Sequence, residues 1–277
     1  MTDLVSIITP AYRAQSMIGE AVTSVLKQTH PHWQMFIIAD DDTDYKKILR
    51  EQNIVDERIH FLRTAAVQSG PNVARNVGLA QAEGDWIAPL DADDVYYPER
   101  LEKLIRAAQP TGLALDNVKI VGEGISSRTV LDAKPDQPFD FQAFKNSLVP
   151  LLLLFHKRHV HQGWDEDIIR GADTMFNLRA LESAGYAGFI AEPYHEYRVH
   201  NQSMCHAEGS EDLFHRAYKH TLERLKSDGL GFQDPEFRQQ VIAMIEEKRR
   251  INAAFDEAVK QGFKGNYQSF VKAQNLC

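Results

Sequence analysis

Apolar residues in the first hundred positions alternate between two spacings. Val5, Ile7 and Ile8 form a short β-branched run over 5–9 that Pro10 closes; Ile18, Ala21, Val22, Val25 and Leu26 then recur at the spacing of one helix face. Ser16 stands where that helix would take its N-cap. Apolar runs at 35–39, 59–62 and 85–90 predict three more strands. The segment 72–82 predicts a helix stopped by Gly84, and Leu101, Leu104, Ile105 and Ala108 line one face of a helix that Pro98 opens. Strands alternating with helices imply right-handed crossovers, hence an α/β fold whose largely parallel sheet is covered on both faces through at least residue 108. This half is Rossmann-like.

The pattern beyond residue 112 is mixed. It predicts short strands near Leu113 and Val118, a Pro/Asp-rich turn at 135–138, a buried strand at 149–155 and a helix over 173–184, all continuing the same domain. After His206 only helical spacing remains, with Leu213, Ala217, Leu222 and Leu225 followed by Val241, Ile245, Ile251, Ala254 and Phe255. Basic and acidic residues balance in this tail, so it reads as a packing or oligomerisation element, with a homodimer as one outcome, and not as a cationic membrane-binding helix. The expected division is one domain over 1–206, split near 108, and a helical extension over 207–277.

Composition narrows the function. The chain has 277 residues, 43% hydrophobic and 25% charged, enough for a sizeable core. Its longest apolar run, 149–155, is strand-sized, so no transmembrane segment is expected. The amino terminus has no basic stretch followed by an apolar one, and a cytoplasmic location is expected. A net charge of −8 argues against nucleic acid as a partner. Two cysteines, Cys205 and Cys277, give neither a disulfide framework nor zinc-type spacing.

The chemistry concentrates where strands end. Leu90-Asp91-Ala92-Asp93-Asp94 follows an apolar run, placing hard oxygen ligands at the carboxyl edge of the sheet, where open α/β folds bind ligands. Carboxylates packed this closely repel one another without a cation, which points to Mg2+ or Mn2+. Asp40, Asp41 and Asp42 end the second strand at the same edge. Neither a Gly-x-Gly-x-x-Gly fingerprint nor a Walker loop follows the first strand, so NAD and ATP readings lack support.

Four segments in order over about residues 4–203, VSIITPAYR with its helix ending SVLKQTH, FIIADDDTD, GPNVARNVGLAQAEGDWIAPLDADD, and GWDEDIIRGADTMFNLRAL leading to YRVH, resemble the inverting glycosyltransferases of family 2, which have the GT-A fold. The resemblance implies a nucleotide-diphosphate sugar donor, usually of uridine or guanosine with UDP-sugar first, a divalent cation, and a saccharide or lipid-linked saccharide acceptor in surface polysaccharide or glycoconjugate synthesis. An acceptor on a lipid carrier implies a peripheral position at the inner face of a membrane. It makes 1–108 the nucleotide-binding half and 109–206 the acceptor-binding half.

By the same resemblance Asp93 is a metal ligand, with Asp91 and His200 beside it. Thr9, Pro10, Ala11, Tyr12, Asp41, Arg75, Asp91, Ala92 and Arg198 meet the nucleotide sugar, and Asp173 is the general base. Asp41 would accept a ring N–H from the base, Tyr12 would lie against the base or pack in the core, and Arg198 would pair with phosphate. Trp164 and Ala172 fall at acceptor-contacting positions, Trp164 either stacking on a sugar or packing in the core. Ala172 departs from the family's Glu-Asp pair, and Asp42 stands where Gly is common. Asp165, Glu166 and Asp167 are runners-up for the base, and His156, Lys157, Arg158, His159 and His161 form a basic cluster that either meets an anionic acceptor or is a solvated loop. Three rivals remain: a nucleotidyltransferase, whose Gly-rich basic loop the segment from Thr9 to Arg13 is not; a glycoside hydrolase, which needs no donor nucleotide; and a catalytically silent sugar-nucleotide binding or scaffold protein.

Overall fold

The computed structural model describes residues 3–122, 125–129, 131, 137–147, 151–200, 210–265 and 267–274. Strands β1 (Val5–Ala11), β2 (Trp33–Ala39), β3 (Ile59–Arg63) and β4 (Trp86–Pro89) run parallel in the spatial order β3-β2-β1-β4. The sheet continues from β4 through β8 (Leu154–His156), β6 (Leu113–Gly122), β9 (Gly188–Val199) and β5 (Val95–Tyr96). β8 and β5 pair antiparallel with their neighbours, β6 and β9 pair parallel, and β7 (Ile125–Thr129) returns antiparallel along β6.

The two-residue period of the strands explains why both faces are covered. Val5, Ile7, Met35 and Ile37 project into a core shared with α1 (Ile18–Leu26), α2 (Tyr45–Glu51) and α4 (Arg100–Ala108). Their neighbours Ile8, Phe36, Ile38 and Ile87 enter a second core with α3 (Pro71–Gln81), α5 (Phe141–Lys145) and α6 (Ala172–Ala184). That second core also takes Leu222 and Leu225 of α7 (Ser210–Ser227) and Val241, Ile242 and Ile245 of α8 (Pro235–Lys260). These apolar residues of the two helices are thus buried within the chain. The distal half of α8 and α9 (Tyr267–Ala273) close a small cluster of their own around Ile251, Phe270 and Val271, with Phe255 against it. No helix among the described residues is long and apolar enough to cross a membrane.

Several local expectations are corrected. Ser16 does not cap α1; Met17 precedes the helix with no side-chain cap, because the Ala14 carbonyl accepts from the N–H groups of both Met17 and Ile18. Gly84 does not stop α3, which ends at Ala82; its N–H donates to Ser6 Oγ at 2.9 Å, and a Cβ there would lie 2.5 Å from the Leu4 carbonyl oxygen. α4 starts at Arg100, two residues past Pro98. The strands near Leu113 and Val118 are one strand, β6. Of the strand expected at 149–155, only the end of the described part, 151–155, pairs, as β8. Upstream, the Leu151 and Leu152 carbonyls accept from Asn177 Nδ2 and Arg100 Nη2, side chains that replace the ladder. Residues 148–150 and part of the turn at 135–138 lie outside the described residues.

Candidate active site

β1, β2 and β4 all end at one edge of the sheet, so the segments after them converge. Asp40 is buried and works as a structural brace. Its Oδ1 accepts from Thr64 Oγ1 at 2.8 Å and Ser69 N at 2.9 Å, and its Oδ2 accepts from Gly70 N at 2.8 Å, which fixes the loop leading into α3. Asp41 accepts from the N–H of Arg13 at 2.7 Å and of Thr43 at 3.0 Å, and from Tyr45 Oη at 3.0 Å. Burial opposes its charge, yet these donors hold its carboxyl below the usual range. Burial pushes the Tyr45 phenol up to about 12, so it remains a donor. Tyr12 is not a core residue: it is 39% exposed, hydrogen-bonded to Gln68, with the Arg13 guanidinium 5.0 Å from its ring centre. Thr9 and Ala11 are buried in β1 on either side of Pro10, and Thr9 Oγ1 has no hydrogen-bond partner among the described residues.

The Asp91 to Asp94 turn separates its carboxylates by direction. Asp94 points inward, accepting from Arg198 N at 3.0 Å and sharing a 2.8 Å hydrogen bond with His195 Nε2. Burial pushes Asp94 up and His195 down to about 4, so the imidazole is neutral at pH 7. This contact pins β9 against the turn and brings the chain to His200, whose Nε2 lies 2.9 Å from Asp93 Oδ2. Burial and then the neighbouring charge of Asp91 raise Asp93. Ala92 is buried between them.

Arg75 joins this turn to the second carboxylate centre. α3 packs tightly onto β1 and β2, since a Cβ on Gly78 would lie 2.8 Å from both Ile8 and Ile38. Arg75, one turn earlier on the same helix, is 4% exposed and is not a solvated surface arginine. Its Nη2 contacts Asp91 Oδ1 at 2.7 Å and its Nη1 lies 3.3 Å from Asp173 Oδ1. Burial works against the guanidinium, but Asp173 and Asp91 outweigh it and raise its pKa. Asp173 is in the first turn of α6 and not its N-cap, which is Gly171 in the left-handed region at φ 85°. Its Oδ1 also accepts from Trp164 Nε1 at 2.8 Å, and no hydrogen bond among the described residues engages its Oδ2. Burial raises Asp173, Arg75 opposes that and Asp91 adds to it.

Asp91, Asp93 and His200 offer carboxylate oxygens and an imidazole nitrogen, which suits Mg2+ or Mn2+. Burial first and the Asp91 charge second disfavour the ionised form of Asp93, and a cation there would oppose both. Among the described residues no three such side chains surround one point, so a cation held here would need further ligands from outside the protein.

The sequence profile of Glycosyl transferase family 2 matches residues 6–163. The chain belongs to this family. It is 33% identical over 210 residues to the putative teichuronic acid biosynthesis glycosyltransferase TuaG of Bacillus subtilis, covering 73% of this chain and 81% of that protein. It is 33% identical over 135 residues to WfgD of Escherichia coli, a UDP-Glc:alpha-D-GlcNAc-diphosphoundecaprenol beta-1,3-glucosyltransferase, covering 46% of this chain and 53% of that one. The fold matches S. aureus TarS 1-349 in complex with UDP-GlcNAc at TM-score 0.68 and 19% identity, over 88% of this chain and 71% of that one. It also matches the mannosyltransferase PcManGT of Pyrobaculum calidifontis in complex with GDP-Man and Mn2+ at TM-score 0.55 and 15% identity, over 98% and 79%. The protein is a glycosyltransferase with the GT-A fold.

Other sequence expectations for this glycosyltransferase are revised by the geometry. Trp164 presents no open face to an acceptor: it is 3% exposed and stacked on Phe176, ring centres 3.9 Å apart at 8°. Ala172 is buried in the same core, so its methyl does not line a sugar site. Arg198 is engaged by Glu20 at 2.6 Å and Glu196 at 3.2 Å. The runners-up for the base are all held. Asp165 pairs with buried Arg179 at 2.7 Å, Glu166 accepts from Asn76 at 2.9 Å, and Asp167 contacts His220 at 2.8 Å and Arg224. The basic cluster is neither at the site nor a solvated loop throughout: β8 pairs His156 with Trp86 at the start of β4, the opposite sheet edge, and His159 is buried against Thr111 and Ser183. Sequence reading missed Asp94, His195 and Asn76. Asp94 was visible in the acidic run, but its inward direction depends on β9.

Proposed function

We propose that this glycosyltransferase moves a sugar, with inversion at the anomeric carbon and with Mn2+ or Mg2+ bound, from a UDP-sugar to a hydroxyl of a saccharide or lipid-linked saccharide in surface polysaccharide synthesis. The observation that carries the reading is Asp173: a buried-side carboxylate, 32% exposed, with one oxygen unengaged and a single guanidinium between it and Asp91. Such a group is placed to take a proton one sugar away from a diphosphate. The names of TuaG and WfgD, and UDP-GlcNAc in TarS, support the donor and acceptor classes.

Thr9, Pro10, Ala11, Tyr12 and Asp41 would frame the nucleoside, Asp91, Asp93 and His200 would hold the cation, and the Ala92 backbone would face the donor sugar. When bound, the cation neutralises charge on the departing diphosphate. Arg198 would exchange Glu20, an exposed partner worth under about 1 kcal/mol, for phosphate. The acceptor hydroxyl loses its proton to Asp173, its oxygen bonds the anomeric carbon, and the bond to the diphosphate breaks with its electron pair on phosphate oxygen. The enzyme is placed in the cytoplasm, peripheral to the membrane that carries a lipid-linked acceptor.

The test is a panel of sugar nucleotides with Mn2+, read as slow donor hydrolysis and as transfer to acceptor. One donor should turn over, and Asp173→Asn should still bind it while losing roughly 10²–10⁴-fold in transfer. Wild-type transfer by that variant would remove Asp173 from the base role.

A further inference from the structure

A hydrogen bond and an ion pair converge on one oxygen of Asp173. Trp164 Nε1 is 2.8 Å from Oδ1, Arg75 Nη1 is 3.3 Å from the same atom, and Oδ2 receives neither. The indole has little freedom to be elsewhere. Its ring is stacked on Phe176, three residues along α6 from Asp173, so the helix that carries the carboxylate also carries the plate that orients its donor. Its backbone is clamped as well: Trp164 N–H donates to Asn76 Oδ1 at 2.8 Å, and the Trp164 carbonyl accepts from Asn76 Nδ2 at 2.9 Å. Asn76 adjoins Arg75, so the indole donor and the guanidinium at Oδ1 are both anchored on adjacent residues of α3.

We propose that Trp164 is a positioning residue for the transfer reaction, whose indole N–H reserves Oδ1 of Asp173 and leaves Oδ2 as the oxygen that takes the acceptor proton. The inference rests on the assignment of Asp173 as general base. Transfer needs one carboxylate oxygen aimed at the hydroxyl, and rotation about the Cβ–Cγ bond would otherwise exchange the two oxygens. The indole hydrogen bond blocks that rotation and favours the ionised form, in the same direction as Arg75 from α3 and against burial and Asp91. Unlike Arg75, the indole does this without adding charge to the site.

Trp164→Phe keeps the stacking on Phe176 and removes only the N–H. Expected are an unchanged donor KM, a kcat lower by roughly ten- to a hundredfold, and an acid limb of the kcat profile moved to higher pH. The indole 15N–1H resonance of Trp164 in the wild type should titrate at the pH of that limb. Should the phenylalanine variant fail to fold, benzothienylalanine at 164 replaces N–H by sulfur at constant shape and carries the same expectation. Asp173→Asn is measured alongside. If it is inactive while the tryptophan variant keeps the wild-type kcat and limb, Trp164 merely packs and the inference falls alone. If Asp173→Asn keeps wild-type turnover, both fall.

Discussion

Replacing Arg75 by Met tests whether the two carboxylate centres are held together by one buried cation. The guanidinium is 4% exposed, with carboxylate oxygens at 2.7 Å (Asp91) and 3.3 Å (Asp173). At an effective dielectric of about 20 and charge centres about 4 Å apart, each pair gains about 4 kcal/mol gross, from which the several kcal/mol of burying Arg75 must be subtracted. Breaking a fully buried pair costs about 3–5 kcal/mol; since both carboxylates keep a third of their surface in water, Arg75→Met should cost about 2–3 kcal/mol at pH 7, a Tm drop of roughly 5–10 °C. The sign with pH is fixed. Without Arg75, Asp173 rises further, so its share of the penalty is complete while it is ionised in both proteins and is lost as the pH falls through the raised folded values, which lie above the ordinary 3.8. Thermal melts of variant and wild type between pH 7 and pH 3.5 provide the measurement. Arg75→Lys, a point charge that reaches one carboxylate at a time, should recover only part of the loss. A variant with wild-type Tm, or a deficit that widens in acid, would refute the reasoning.

Gly78→Ala places a methyl 2.8 Å from Ile8 and Ile38, so α3 must shift; a loss of about 1–3 kcal/mol should appear in urea unfolding, together with reduced transfer because Arg75 rides on that helix. Ending the chain at residue 206 removes Leu222, Leu225, Val241, Ile242 and Ile245 from the second core, each worth roughly 1.5–3 kcal/mol, a sum near the whole stability of a domain. That fragment should therefore be insoluble, and a folded, donor-binding 1–206 would show the extension to be independent. Because burial raises Asp173, kcat/KM for transfer should fall with acid along a limb centred above 3.8, and a limb at or below 3.8 would contradict that environment.

Regular apolar periodicity made the first half of the fold legible, since strands at 5–9, 35–39 and 85–90 each needed only local pattern. The second half was not, because its order is made by side chains distant in sequence. Leu151 and Leu152 read as strand, yet their carbonyls are taken by Asn177 and Arg100, and Arg100 is itself fixed by Asp116 at 2.9 Å in the middle of β6. β9, with alternating polar residues and Pro193 inside it, offered little strand signal, and its pairing with β6 shifts register on either side of Asn117. At the site, the acidic runs told where carboxylates gather but not which way they point. Asp40 and Asp94 are braces, and Trp164 stayed open between a sugar platform and the core because stacking on Phe176 is invisible without α6 in place.

Counting charges at the site leads to one more expectation. Among the described residues Asp91 and Asp173 pair with one permanent cation, Arg75, and Asp93 is already raised by burial and by Asp91. A nucleoside diphosphate alone would add negative charge to that surplus. A divalent cation alone would find too few ligands, since no three-residue cluster closes around it among the described residues. Each ligand therefore relieves the obstacle to the other, and their binding must be coupled with the same factor in both directions. Calorimetric titration of UDP should give an affinity higher by roughly 5–150-fold with saturating Mn2+ than with EDTA, and Mn2+ affinity should rise by the same factor with UDP. In a variant with Asp91 and Asp93 both changed to Asn, UDP should bind better than to the wild type in EDTA and gain little from Mn2+, because the repulsion and the ligands are removed together. Equal UDP affinity in Mn2+ and EDTA for the wild type would mean that this acidic turn does not meet the diphosphate.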